Sequence, residues 1–202
     1  MASPVAKTLQ ILIPLGLLLG GGVTLWTRSA PPERPAMVDP AENATYGELY
    51  VDSDQGPLRL SDLRGQVVLV YFGYTACPDI CPTTLATTAA AVEELPPEQA
   101  TQVTAMFVSV DPKRDTPALL GDYARYFNPR FVAGTAEPAA ISEMAADWGV
   151  AFAESRVGDG AMEYTVDHST SSYLVDKQGQ MVRVVPHGTS PAVLAGWMRE
   201  LL

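Results

Sequence analysis

Cysteine and histidine are both scarce in this 202-residue chain, at two each, and lysine and arginine together number 13 against 23 acidic residues. Two cysteines exclude the multi-disulfide framework of small secreted scaffolds and the four-cysteine zinc site. A net charge of -10 removes nucleic acid as a partner and disfavours anionic lipid, because phosphate binding needs a basic surface. The same acidity keeps a protein soluble and can steer a basic partner or a cation. Hydrophobic residues at 47% and charged residues at 18% are near the globular average, so the body of the chain can fold without a staple. A metal bound here would be functional before it was structural.

Charge is also missing from Thr8 to Thr27, a stretch of about 20 residues, which is the length a helix needs to cross a bilayer. A secretory signal has a shorter apolar region and a small-residue cleavage site, and Arg28 and Pro31 fit such a site poorly around Ala30. Residues 1–27 are therefore expected to be an N-terminal transmembrane helix, with a cleaved signal as the alternative. Lys7 on one side and Arg28 and Arg34 on the other leave the orientation undecided by charge. Either kind of export signal puts the following domain outside the cytoplasm, in the periplasm or an equivalent compartment. Residues 28–45 hold four prolines and no apolar period, and read as a spacer.

Residues 46–202 carry the pattern of one α/β domain. Leu58–Leu60 and Gln66–Phe72 are predicted strands, the second a continuous apolar run of the kind buried on both faces of a sheet. A helix is expected over Thr83–Leu95 and a strand over Val103–Val110, which together make a β-α-β unit with a parallel strand pair. Helices follow over Thr116–Phe127 and Pro138–Trp148, then a hairpin with Lys177-Gln178-Gly179 at its turn, then a helix over Pro191–Leu202. The sum is an α/β sandwich on a mixed sheet.

Both cysteines fall in Gly73-Tyr-Thr-Ala-Cys77-Pro-Asp-Ile-Cys81-Pro82, between the central strand and its helix. Open α/β sheets keep their chemistry at this end of the strands. Pro82 is expected at the first helical position and Cys81 at the cap, which puts the thiols at the positive end of the helix dipole and lowers their pKa. The sulfurs then either pair or share a metal. A purely stabilising disulfide is the weakest of these readings, since so short a loop gains least from closure.

His168, in Tyr164-Thr-Val-Asp-His-Ser, has Asp167 and Ser169 beside it as groups that could orient its ring. His187, in Pro186-His-Gly-Thr189, reads as an exposed turn residue. Two thiolates and one imidazole form a soft set with an open position, which suits copper as Cu(I) or Cu(II) and permits transfer. Tyr71, Phe72, Tyr74, Phe107 and Trp148 are expected in the core.

Three ordered motifs, GYTACPDICPTT at 73–84, SVDPKRDTP at 109–117 and VDHSTSSYLVDKQG at 166–179, give residues 46–202 a resemblance to the Sco/SenC proteins. That resemblance implies a thioredoxin-like three-layer sandwich behind a membrane anchor. It also implies a metallochaperone that binds one copper through Cys77, Cys81 and His168 and helps assemble the dinuclear copper centre of cytochrome c oxidase. The expected partners are the copper-centre subunit of that oxidase, other copper chaperones and thiol reductants. Ala76 departs from the aromatic or histidine common in the family before the first cysteine. Asp111 and Asp115 belong to the family signature but read as turn and cap chemistry around Thr116 and Pro117 rather than as ligands. Asp79 and Asp167 are candidate partners of the ligands. Two other functions remain open: a thiol–disulfide oxidoreductase working through Cys77 and Cys81, and a copper or redox sensor.

Overall fold

The structure, a computed structural model, describes residues 46–156 and 164–202. The apolar segment Thr8–Thr27 and the proline-rich spacer lie outside the described residues, and among those described no helix is long and apolar enough to cross a membrane.

Val67–Gly73 (β3) is buried at every position, as its unbroken apolar sequence requires, and runs parallel to Val103–Ser109 (β4) in register from Val67↔Val103 to Gly73↔Ser109. Val132–Thr135 (β5) adds a third parallel strand beside β4. Antiparallel strands complete both sides. Tyr50–Ser53 (β1) pairs with β5 and with Gly56–Arg59 (β2), while Ser172–Val175 (β8) pairs with β3 and with Met181–Val185 (β9). The mixed sheet has the order β2-β1-β5-β4-β3-β8-β9. The predicted strand at Leu58–Leu60 gives way at Leu60 to a 3-10 turn, Leu60–Leu63, which buries Leu60 and Leu63.

Ile80–Glu93 (α1) lies between Pro117–Phe127 (α3) and Pro191–Glu200 (α5) and contacts both, on the face that carries Leu69, Tyr71 and Phe107. Pro97–Ala100 (α2) is a single turn after α1. On the opposite face Pro138–Asp147 (α4) leads into Trp148, whose ring packs on Phe72 and Tyr173 and whose Nε1 donates to the Gly47 carbonyl at 2.9 Å. The result is three layers. Thr116 and Ser190 cap α3 and α5 by accepting from the amides of Leu119 and Val193, each followed by a proline whose missing N–H costs nothing at that position.

Two more strands, Phe152–Arg156 (β6) and Tyr164–His168 (β7), pair only with each other. They form an antiparallel ribbon outside the main sheet, and its last residue is His168.

Candidate metal centre

The helix that carries Cys81 begins earlier than its sequence suggests. Asp79 is the N-cap, Ile80 the first helical residue and Pro82 the third, so Cys81 lies inside the first turn. Proline is tolerated there because the first-turn amides have no intrahelical acceptor. The shift turns Cys81 inward, to complete burial, and leaves Cys77 half-buried on the loop. Both thiols are free.

Burial reverses the expected electrostatics at Cys81. Desolvation pushes its thiol up to about 12, overriding the hydrogen bonds from the Tyr74 main chain and the Tyr71 hydroxyl that favour the thiolate. The Tyr71 hydroxyl lies 3.6 Å from Cys81 Sγ. Gly73 makes room for the sulfur: a Cβ there would lie 2.7 Å from Cys81 Sγ and 2.8 Å from the Phe107 ring.

His168 reaches the same point from the ribbon. Its Nε2 is 3.3 Å from Cys81 Sγ, and its Nδ1 is 2.9 Å from the Ser169 carbonyl. A carbonyl can only accept, so Nδ1 carries the proton and Nε2 presents its lone pair to the thiols. Burial lowers the His168 pKa against the opposing pull of the Ser169 carbonyl and the Asp167 charge, keeping the ring neutral. Tyr71 and Tyr74 stand edge-on to the imidazole, with centroids at 6.1 and 5.8 Å. The ligand atoms of Cys77, Cys81 and His168 all lie within 4.8 Å of one another, and no other group of three or more His, Cys, Asp or Glu residues converges in this way among the described residues.

The group that orients the histidine is the main-chain carbonyl of Ser169. Asp167 instead accepts from the Ser155 hydroxyl at 2.6 Å, and Asp79 accepts a long hydrogen bond from Thr83. His187 stands apart and exposed, its Nδ1 3.3 Å from the Thr84 hydroxyl.

Asp111 and Asp115, both almost fully buried, do more than shape a turn. Asp115 accepts from the Thr75 amide at 3.0 Å and from the hydroxyls of Thr75 and Ser109 at 2.5 Å each, which ties the cysteine loop to the end of β4. Asp111 accepts from Arg114 Nε at 2.5 Å and from the Tyr164 hydroxyl at 2.7 Å, which ties β7 to the same turn. Sequence reasoning missed this division of labour, although the spacing of the two carboxylates in SVDPKRDTP was its visible trace.

Fold and site together define a class: a thioredoxin-like α/β protein that gathers two thiols and a neutral imidazole at the open end of its central strand. More narrowly, the chain belongs to the SCO1/SenC family, whose model matches residues 40–202. SCO2-like protein RC0895 of Rickettsia conorii is 32% identical over 201 residues, covering 96% of this chain and 98% of its own. Among solved structures, apo Sco1 from Thermus thermophilus is 38% identical with a TM-score of 0.69, covering 77% of this chain and 90% of that one. ScoI of Bradyrhizobium japonicum, solved with copper bound, is 32% identical with a TM-score of 0.69, over 77% of this chain and 98% of that one.

Proposed function

We propose that this protein carries copper for the assembly of cytochrome c oxidase, holding one ion between Cys77 Sγ, Cys81 Sγ and His168 Nε2. The observation that carries the reading is the convergence of these three soft donors within 4.8 Å. Membership of the SCO1/SenC family and the copper-bound relative support it. Two thiolates and an imidazole suit Cu(I) and accommodate Cu(II), and three ligands leave a position at which a recipient's ligand can enter before a donor leaves. Cys77 lines an open groove with Tyr74, Pro78, Ile80 and His168, so a recipient approaches from that side. Loading must displace the Cys81 proton, because only the thiolate ligates. The domain, taken as residues 46–202, is placed outside the cytoplasm on a tether at Thr8–Thr27, with the copper-centre subunit of the oxidase as its recipient.

Titration of the reduced full chain with Cu(I) against a chromogenic chelator tests the site. Wild type is expected to take one equivalent. Cys81→Ser and His168→Ala should each weaken binding by more than the ~10–100-fold that loss of an outer-sphere partner costs. Wild-type affinity and stoichiometry in both variants would sink the assignment.

A second reading rests on the unequal exposure of the two thiols. Cys77 as thiolate would attack a partner's disulfide, releasing one partner thiolate and forming a mixed disulfide. Cys81 would then attack Cys77, releasing the second thiolate and closing a Cys77–Cys81 disulfide. This chemistry does not use His168. Oxidase assembly supported by His168→Ala favours it; loss of assembly favours copper delivery.

A further inference from the structure

Cys77 and Cys81 lie on the loop and helix that follow β3 of the seven-stranded sheet, whereas His168 comes from the separate ribbon. It ends β7, which pairs with β6 alone, so the ribbon's docking on the body decides where the imidazole points. That docking is concentrated at the other end of the strand. Arg114 Nη1 donates to the Tyr164 carbonyl at 3.0 Å, and its guanidinium lies 3.8 Å from the centroid of the Tyr164 ring. Arg114 Nε and the Tyr164 hydroxyl both donate to Asp111, which closes a three-residue clasp on a carboxylate that is 2% exposed. The guanidinium also lies 5.5 Å from the centroid of the Tyr74 ring, which stands edge-on to the imidazole.

The tethers differ greatly in strength. An ion pair from the same turn to the ribbon, Lys113 with Glu154, is exposed, and such pairs contribute about 0–1 kcal/mol. A planar guanidinium fixed at once by a buried carboxylate, a carbonyl and an aromatic face cannot be replaced by a lysine, which offers a point charge and no stacking plane.

We propose that Arg114 is a positioning residue for the third ligand: clasped by Asp111 and Tyr164, it locks β7 so that His168 Nε2 faces the two sulfurs. The positioning stands on the side-chain geometry alone, and only its consequence for copper rests on the proposed function.

Two measurements on the reduced full chain test it, with Arg114→Met, Arg114→Lys and Tyr164→Phe as variants. In the apo protein, the ring proton signals of His168, displaced in wild type by the neighbouring tyrosine rings, should move toward free-imidazole values in Arg114→Met. Those of His187 should stay where they are, and Arg114→Lys should restore the His168 signals only in part. With Cu(I) as probe, Arg114→Met should weaken binding about 10-fold beside His168 and not at all in a His168→Ala background, as expected for an outer partner. The reduction potential of the Cys77–Cys81 pair should not change, whereas a general loosening of the fold would move it.

Unshifted His168 signals, or an equal copper loss with and without His168, would overturn the proposal. Shifted signals in a chain whose His168→Ala variant keeps wild-type affinity would uphold the positioning and sink the copper reading. Should Arg114→Met fail to fold, Tyr164→Phe, which removes one bond of the clasp and keeps the ring, gives the same two readouts.

Discussion

Cys77 and Cys81 are one helical turn apart in sequence and meet solvent on different terms. With its thiol pushed up to about 12 and no exposed surface, Cys81 is held in the protonated form at pH 8. Iodoacetamide at that pH should therefore label Cys77 at least ten times faster than Cys81, as peptide mass mapping would read; equal labelling would contradict the buried placement. Gly73 is the second residue on which the centre depends. Its side-chain position is already filled by Cys81 Sγ and the Phe107 ring, so Gly73→Ala forces one of them to move. Overpacking of this kind costs about 1–3 kcal/mol, which should appear as a lower urea midpoint together with weaker Cu(I) binding.

At the scale of elements, the turn after β4 holds the two halves of the site with two different carboxylates. Asp115→Asn keeps the shape and loses charge-assisted bonds to Thr75 and Ser109, each of a kind that contributes about 1.5–3 kcal/mol. The variant should unfold at lower urea and exchange the Thr75 amide faster, with β7 amides unaffected. The bonds from Thr75 to Asp115 and from Tyr164 to Asp111 lay beyond sequence reading because they join residues 40 and 53 positions apart. What could be read was local. The apolar runs of β3 and β4, the Thr116-Pro117 and Ser190-Pro191 caps and the Gly179 turn, with φ at +83°, each carry their own signal. By contrast β5 is four residues ending Gly-Thr and β6 is largely polar, so neither shows a strand's apolar pattern. Sequence reading accordingly places no strand over Tyr164–His168, whereas His168 ends one. The start of α1 was misplaced for a different reason, since proline's preference for the first helical position gave way to a third-position proline that buries Cys81.

For the whole molecule, the neutral, half-buried His168 couples the site to stability. Its folded pKa lies below the ordinary value of 6.5, so the unfolded chain binds the extra proton. Stability from this group is complete above pH 6.5 and is lost as pH falls through the folded value. Thermal unfolding of the apo protein from pH 7.5 to 5.5 should show a midpoint that falls further in wild type than in His168→Gln; parallel curves would contradict the burial of a neutral ring. The thiols and the imidazole also stand on different parts of the fold, the thiols on the loop and helix that follow the buried strand β3, the imidazole at the end of a two-stranded ribbon. Substitutions confined to the ribbon can therefore erase the imidazole while the core and both thiols stay intact. On the proposed function, metal handling and thiol exchange can thus be lost separately, the first without the second.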